Sequence, residues 1–466
     1  MLKISCVIVL MLQLAAGAQS TKIAFLGIWD RAVPLMERAA RETGVEVTFF
    51  SKNSFTEESF SEKLKGIEVL YILNISPEHS AGVRKALEEA AEVNKKFKVI
   101  PLDRRTIHQE INRSGFFTED PKVRTYWKAN GLVNLKRLLK YTGITYFGQQ
   151  GEVEPAAIIP ESGLYAPELK NVEARFSDFK MKSKWVTGAP VAAFLIQQSF
   201  WITEDTKVIN AQIEALRQQD INVVALFADS TAKIYEYLKE IKPDLIIEDR
   251  HGSIWEGEGG KSLLEELKAP YLRPISMLAS TVEEWQQSRQ GLAHRDISHF
   301  LTLQESKGTV EPIVVGGLKA NVTGFRLHVP IPERVQHFAK RARKWLDLKL
   351  KENSEKKVAI IYYNKSLGKD DLMRGSPTGA FLDGPESLVR FLPKMKDAGF
   401  SLENVPDSAE KLIDKIKLRG RNIGPWAKAE MEAQADQPGT VLVSLSKYKK
   451  WYEEELKESL RKERTR

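Results

Sequence analysis

The sequence predicts an α/β protein made of several parallel-sheet units in tandem, the last of them truncated. Three observations lead there. Short apolar runs, each compatible with one buried strand, recur along the chain. Between them lie longer segments whose apolar residues repeat at helical spacing, and strands alternating with helices form parallel sheets covered on both faces. The runs also fall into groups, divided by a proline-bearing stretch after Gly148 and by a charged stretch from Lys349 to Lys357.

The elements follow in order. KIAFLGI (Lys22 to Ile28) reads as the first strand, and a helical pattern runs from Arg31 to Thr43 and stops at Gly44. VEVTFFS, GIEVLYILNIS and KFKVIPLD repeat the strand pattern. A helix from Asn130 to Tyr141 and a strand-like ITYFG (Ile144 to Gly148) complete an N-terminal α/β domain, 19–148. QQGEVEPAAIIPESGLYAPE has little periodicity, so 149–188 reads as a connection with short ordered pieces. A second α/β domain, 189–348, opens with APVAAFLIQQSFW and continues through a helix (Thr203 to Gln219), INVVALFA, another helix and DLIIEDRHG. That alternation lines strand C-termini along one crevice. EPIVVGG then leads into LKANVTG, read as a polar turn. A helix follows with Pro332 at its start, where a missing N–H costs nothing, and with Val335, Phe338, Ala339, Ala342 and Trp345 on one face. The start of a third α/β domain, 349–466, holds one strand, a long loop, a helix from Gly384 to Ala398 closed by Gly399, and a charged helical tail.

Composition narrows the function. Hydrophobic residues are 42 % and charged residues 28 % of 466, an ordinary globular balance. The net charge of +8, from 70 basic and 62 acidic residues, is spread along the chain. It suits an anionic small molecule or simple solubility. Neither zinc-ligand spacing nor a dense arginine run with interleaved aromatics occurs, so no nucleic-acid partner is expected. The single cysteine, Cys6, lies in MLKISCVIVLMLQLAAGAQS, whose lysine, apolar run and Ala16-Gly17-Ala18 have the form of a secretory signal peptide, 1–18. The expected product is exported, to a periplasm, and contacts a membrane only if that segment is retained as an anchor.

Two places can carry chemistry. IIYYNKSLGKDDLMRGSPTGAFLDGPESL (Ile360 to Leu388) puts a long polar loop between strand and helix, and such loops commonly serve ligands. Lys369 offers a point charge, Arg374 a two-pronged donor, and Ser376 and Thr378 hydroxyls, all suited to carboxylate or phosphate oxygens. It is not a P-loop, because Gly-Lys is not followed by Ser or Thr. A solvated loop capping the next helix is the plain alternative. The second place is Glu248-Asp249-Arg250-His251-Gly252 at a strand end, where Arg250 and His251 can bind substrate or move protons. His294 and His299, five apart, lack the spacing of a helical metal pair and read as surface or packing residues. The residues themselves name no catalytic group and no metal ligand.

The order of segments resembles one family. APVAAFLIQQSFW…INAQIEALRQQDINVVALFA, APYLRPISMLASTVEEWQQSRQGL, EPIVVGG, PIPERVQHFAKRARKWLDLK and KVAIIYYNKSLGKD…TGAFLDGPESLVRFLPKMKDAGF occur in sequence, as in the large subunit of cobaltochelatase (CobN) and its relative, the large porphyrin-binding component of magnesium chelatase. The resemblance covers about Pro190 to the end and is weaker before it. It implies binding of a tetrapyrrole, corrin or porphyrin, with a divalent metal ion (cobalt, magnesium or iron) as substrate for insertion, or for removal as in haem dechelation. Implied partners are chelatase ATPase subunits or a separate catalytic polypeptide. It gives the loop a task, with Asn364 of Tyr-Asn joining Lys369, Arg374, Ser376 and Thr378 as substrate-binding candidates. Two departures stand out. Lys365-Ser366-Leu367 stands where many members have Tyr-Pro-Pro, and the family's later Gly-Thr-His-Gly segment is absent before Arg466. The expectation is the N-terminal part of a metal chelatase that lacks the catalytic half. The alternative is an exported, non-catalytic tetrapyrrole- or anion-binding protein.

Overall fold

In the computed structural model the described residues are 22–51, 57–250, 260–321, 324–360, 383–419, 427–438 and 440–456. The chain divides into two compact units, Met1–Leu346 and Asp347–Arg466. The α/β class expected from the sequence is the fold observed, with parallel sheets at its centre.

The first sheet has four strands: β1 (Ile23–Leu26), β2 (Val47–Phe50), β3 (Val69–Ile72) and β4 (Lys98–Pro101). Their order is β2-β1-β3-β4, and every pairing is parallel. β1 and β3 are buried at every position, as strands covered on both faces must be. One face packs on helices α1 (Val33–Thr43) and, later in the chain, α4 (Gly131–Phe147). The other packs on α2 (Ser80–Val93). α3 (Pro121–Ala129) begins on Asp120, whose carboxylate accepts hydrogen bonds from the Lys122 and Val123 amides. The chain reverses the strand order between β1 and β3. There Gly27, at φ +67°, lies so close to Asn74 that a Cβ would sit 1.7 Å from the Asn74 carbonyl oxygen, so only glycine fits.

ITYFG is not a strand. It forms the last turns of α4, because Leu135, Leu138, Leu139 and Thr142 extend one buried helical face through this stretch. The Tyr146 hydroxyl anchors it to Asp120 at 2.7 Å, and the helix stops only at Gly148, at φ +66°. Packing along that face overrides the β preference of Ile144, Thr145 and Tyr146.

The second sheet has the order β5-β7-β6-β8-β9. Its strands are β5 (Gly163–Tyr165), β6 (Val191–Ile196), β7 (Asn222–Phe227), β8 (Leu245–Asp249) and β9 (Tyr271–Leu272). β5, from the proline-bearing stretch, is an antiparallel edge, and the other pairings are parallel. Helix α5 (Lys207–Arg217) covers one face and α6 (Thr231–Ile241) the other. α7 (Pro332–Leu350) returns to the α5 face and buries Val335, Phe338, Ala339, Ala342 and Leu346, with Trp345 half-buried beside them.

A third, small sheet joins β10 (Ile275–Thr281), β11 (Val314–Ala320) and β12 (Arg326–Pro330). The stretch read as a polar turn is partly strand: Leu318 to Ala320 pair antiparallel with β12 in the register Leu318↔His328. β12 is short, and its one buried residue is His328 rather than the alternating Leu327 and Val329, so its pattern does not announce the face it buries. Its hairpin clasps the first sheet. Phe325 enters that sheet's core, and the Arg326 amide donates to Asp30 Oδ2 at 2.9 Å.

In the second unit α8 (Gly384–Asp397) starts on Asp383, whose side chain accepts from the Glu386 amide at 2.9 Å. Gly399, at φ +90°, ends it, and α9 (Ala409–Arg419) follows. Of the strand expected from Lys357, residues 357–360 are exposed and form no strand, and the rest of it, with the loop before α8, lies in 361–382, outside the described residues. Among the described residues no helix is long and apolar enough to cross a membrane.

Candidate functional site

Both doubly wound sheets have a point where strand order reverses, and α/β folds bind ligands in the crevice outside the strand C-termini there. In the second sheet it lies between β6 and β8, where Leu195 pairs with Glu248 and Ile196 with Asp249. Successive strand side chains alternate in direction, so the two acids leave β8 on opposite sides.

Glu248 is wholly buried and holds two arginines. Arg250 Nε donates to its Oε1, and Arg273 Nη1 lies 3.5 Å from its Oε2. Arg273, only 1 % exposed, also donates through Nη2 to the Arg250 carbonyl. Its guanidinium carbon sits 5.6 Å from the centre of the Phe300 ring. One buried and one partly buried cation thus share one buried carboxylate. Arg250 is oriented by this pairing, while its Nη2 has no hydrogen-bond partner among the described residues. That end is a pre-set donor for an oxyanion.

Asp249 faces other partners. Ser276 Oγ donates to its Oδ2 at 2.6 Å and Gln212 Nε2 at 3.2 Å. Burial pushes its carboxyl above the ordinary value of 3.8, against the pull of these two bonds and of nearby Arg273 and His328. The sign follows from linkage. A carboxyl whose folded value is raised contributes stability below pH 3.8 and loses it as pH rises past that point. Asp249→Asn keeps an acceptor oxygen for both donors and removes the titration. Its unfolding temperature relative to the parent is therefore expected to rise as pH increases above 3.8. Parallel profiles would mean that Asp249 titrates alike folded and unfolded.

Of the residues singled out in the sequence, Arg250 lies in this crevice. His251, Asn364, Lys369, Arg374, Ser376 and Thr378 lie outside the described residues. His294 and His299 are exposed, as expected. Sequence reasoning missed Arg273, Ser276 and Gln212. Only Arg273 left a signal, a charged residue inside the otherwise apolar APYLRPIS. Among the described residues no group of three or more His, Cys, Asp or Glu is placed to hold a metal ion.

Comparison with known proteins settles the family. The family described as CobN/Magnesium Chelatase matches residues 124–466. The chain belongs to the CobN/magnesium chelatase family. Relatives include the magnesium-chelatase ChlH component of the rice chloroplast (Oryza sativa), 25% identical over 322 residues that make up 62% of this chain and 22% of the relative. The aerobic cobaltochelatase component CobN of Pseudomonas aeruginosa is 23% identical over 303 residues, 62% of this chain and 24% of that one. Among solved structures, the catalytic subunit of cobaltochelatase from Mycobacterium tuberculosis aligns with a TM-score of 0.57 at 15% identity, covering 86% of this chain and 33% of that one. That likeness shows the shared fold. The chain spans between 22% and 33% of the length of these three relatives.

Proposed function

We propose that the chain is the N-terminal, tetrapyrrole-binding part of a CobN-like chelatase large subunit. It takes an acidic corrin or porphyrin, into or out of which a metal ion is transferred. The observation that carries this reading is the family match across residues 124–466. Two physical points support it. Carboxylate-bearing macrocycles call for fixed cations, and Arg250 is a fixed cation at a sheet's reversal point, with a buried donor that has no partner among the described residues. By their chemistry Lys369 and Arg374, with Asn364, Ser376 and Thr378, are donors suited to carboxylates in their own right, as is His251.

Cobalt, magnesium or iron is the substrate, and the partners in its transfer are chelatase ATPase subunits or a separate catalytic polypeptide. The N-terminal segment directs export, and outside the cytoplasm, away from ATP, a separate polypeptide is the fitting partner and removal of iron from haem the fitting direction, with protons replacing the metal on the ring nitrogens. Titrating the full chain into haem, and separately into a cobalt-free corrin, tests the reading by absorbance. A saturable shift at one equivalent is expected for at least one of them. Unchanged spectra at high protein concentration would overturn it.

A further inference from the structure

A second site lies in the first unit, in a cavity of about 240 Å³ lined by none of Glu248, Arg250 and Arg273. It opens where α1 and the turn after β1 meet the segment between β6 and α5, with β12 closing one side. Arg31, Arg38, Arg41 and Lys207 line it, against the carboxylates of Glu204 and Asp205. Both acids are engaged. Arg38 Nη1 pairs with Glu204 at 2.7 Å, and His328 Nδ1 lies 2.6 Å from Asp205 Oδ2.

Arg31 is the central cation. Its guanidinium carbon lies 5.6 Å from the centre of the Trp29 ring and 5.4 Å from that of Phe200, so two aromatic faces fix it. Its buried Nε has no hydrogen-bond partner among the described residues. Burial lowers its pKa below the ordinary arginine value, and Asp205 opposes that only in part. His328, with 8 % of its side chain exposed, leaves Nε2 without a hydrogen-bond partner among the described residues in the same wall. Unpaired donors in a buried wall cost stability unless a ligand meets them.

We propose that this cavity binds one compact oxyanion, a carboxylate or a phosphate, through the fork of Arg31, with Lys207 beside it. The chemistry fits: a planar guanidinium held on edge matches a carboxylate or phosphate face, and the cations outnumber the acids. The volume corresponds to about eight waters at roughly 30 Å³ each, below the range of drug-sized pockets. The ligand is therefore far smaller than a macrocycle, and the proposal is independent of tetrapyrrole binding. It would bridge the two doubly wound sheets, since Arg31 follows β1 while Asp205 and Lys207 follow β6.

Calorimetric titration of the full chain with sodium succinate and with inorganic phosphate, at constant ionic strength, tests this. One anion is expected to saturate a single site, and the better of the two tells which oxyanion chemistry the cavity takes. Arg31→Lys, which keeps the charge and loses the fork, weakens binding by at least about tenfold. Arg31→Met abolishes it and, without anion, raises the unfolding temperature by about 2–4 °C, because an unmet buried donor is gone. A purely structural Arg31 would do the reverse. Absence of saturable heat for both anions up to about 10 mM would overturn the proposal. So would unchanged affinity in both variants.

Discussion

Replacing Glu248 with Gln lowers the stability of the chain by about 3–5 kcal/mol. The carboxylate is wholly buried, Arg273 is 1 % exposed, and both Arg273 and Arg250 direct donors at it. Taking the negative charge away leaves two cations in a low-dielectric interior with an amide in its place. The loss is thus a penalty on the residues left behind rather than the worth of one bond. Arg273→Met should cost less, since Arg250 still neutralises Glu248. The double variant should cost less than the two single changes added together, because it removes both halves of one interaction. Urea denaturation followed by circular dichroism measures all three. A loss below about 1 kcal/mol in Glu248→Gln would mean that water reaches the cluster and screens it.

The second large effect is at Phe338. Phe338→Ala is expected to destabilise by about 3–5 kcal/mol. The ring is fully buried on α7, within the core that also takes Phe194 and Ile247 from the sheet and Ile213 from α5. Its neighbours on the same helical face include Ala339 and Ala342, which are too small to fill the space by moving. Because α7 joins the sheet largely through this face, the loss should appear as earlier unfolding of the whole second sheet. Thermal unfolding of the parent and variant reads it. A shift under about 1 kcal/mol would show that α7 is loosely held.

Most of the sheet architecture was legible because buried parallel strands are written as uninterrupted apolar runs. VAAFLI, NVVALF and LIIED needed no context to be recognised. Elements whose identity depends on neighbours were not. ITYFG has strand-like residues, but the face begun at Leu135 carries it into a helix. RLHVP becomes β12 only because β11 lies beside it. The same division holds for the sites. Arg250 could be found from its place after a strand. Pairings between distant segments could not: Ser276 and Gln212 reach Asp249 across 27 and 37 residues, and His328 meets Asp205 across 123. Such convergence is set by topology, which local spacing does not record.

Lys369 and Arg374 are the cations assigned by sequence to the tetrapyrrole carboxylates, and they lie outside the described residues. They also bear most directly on the proposed function. The decisive measurement is the affinity of the full chain for a dicarboxylate porphyrin, in the parent and in a variant carrying both Lys369→Ala and Arg374→Ala. Saturable binding is expected in the parent, weakened by at least about tenfold in the variant, with the loss smaller at high salt. Equal affinity in the two proteins would contradict the assignment of these cations to the tetrapyrrole.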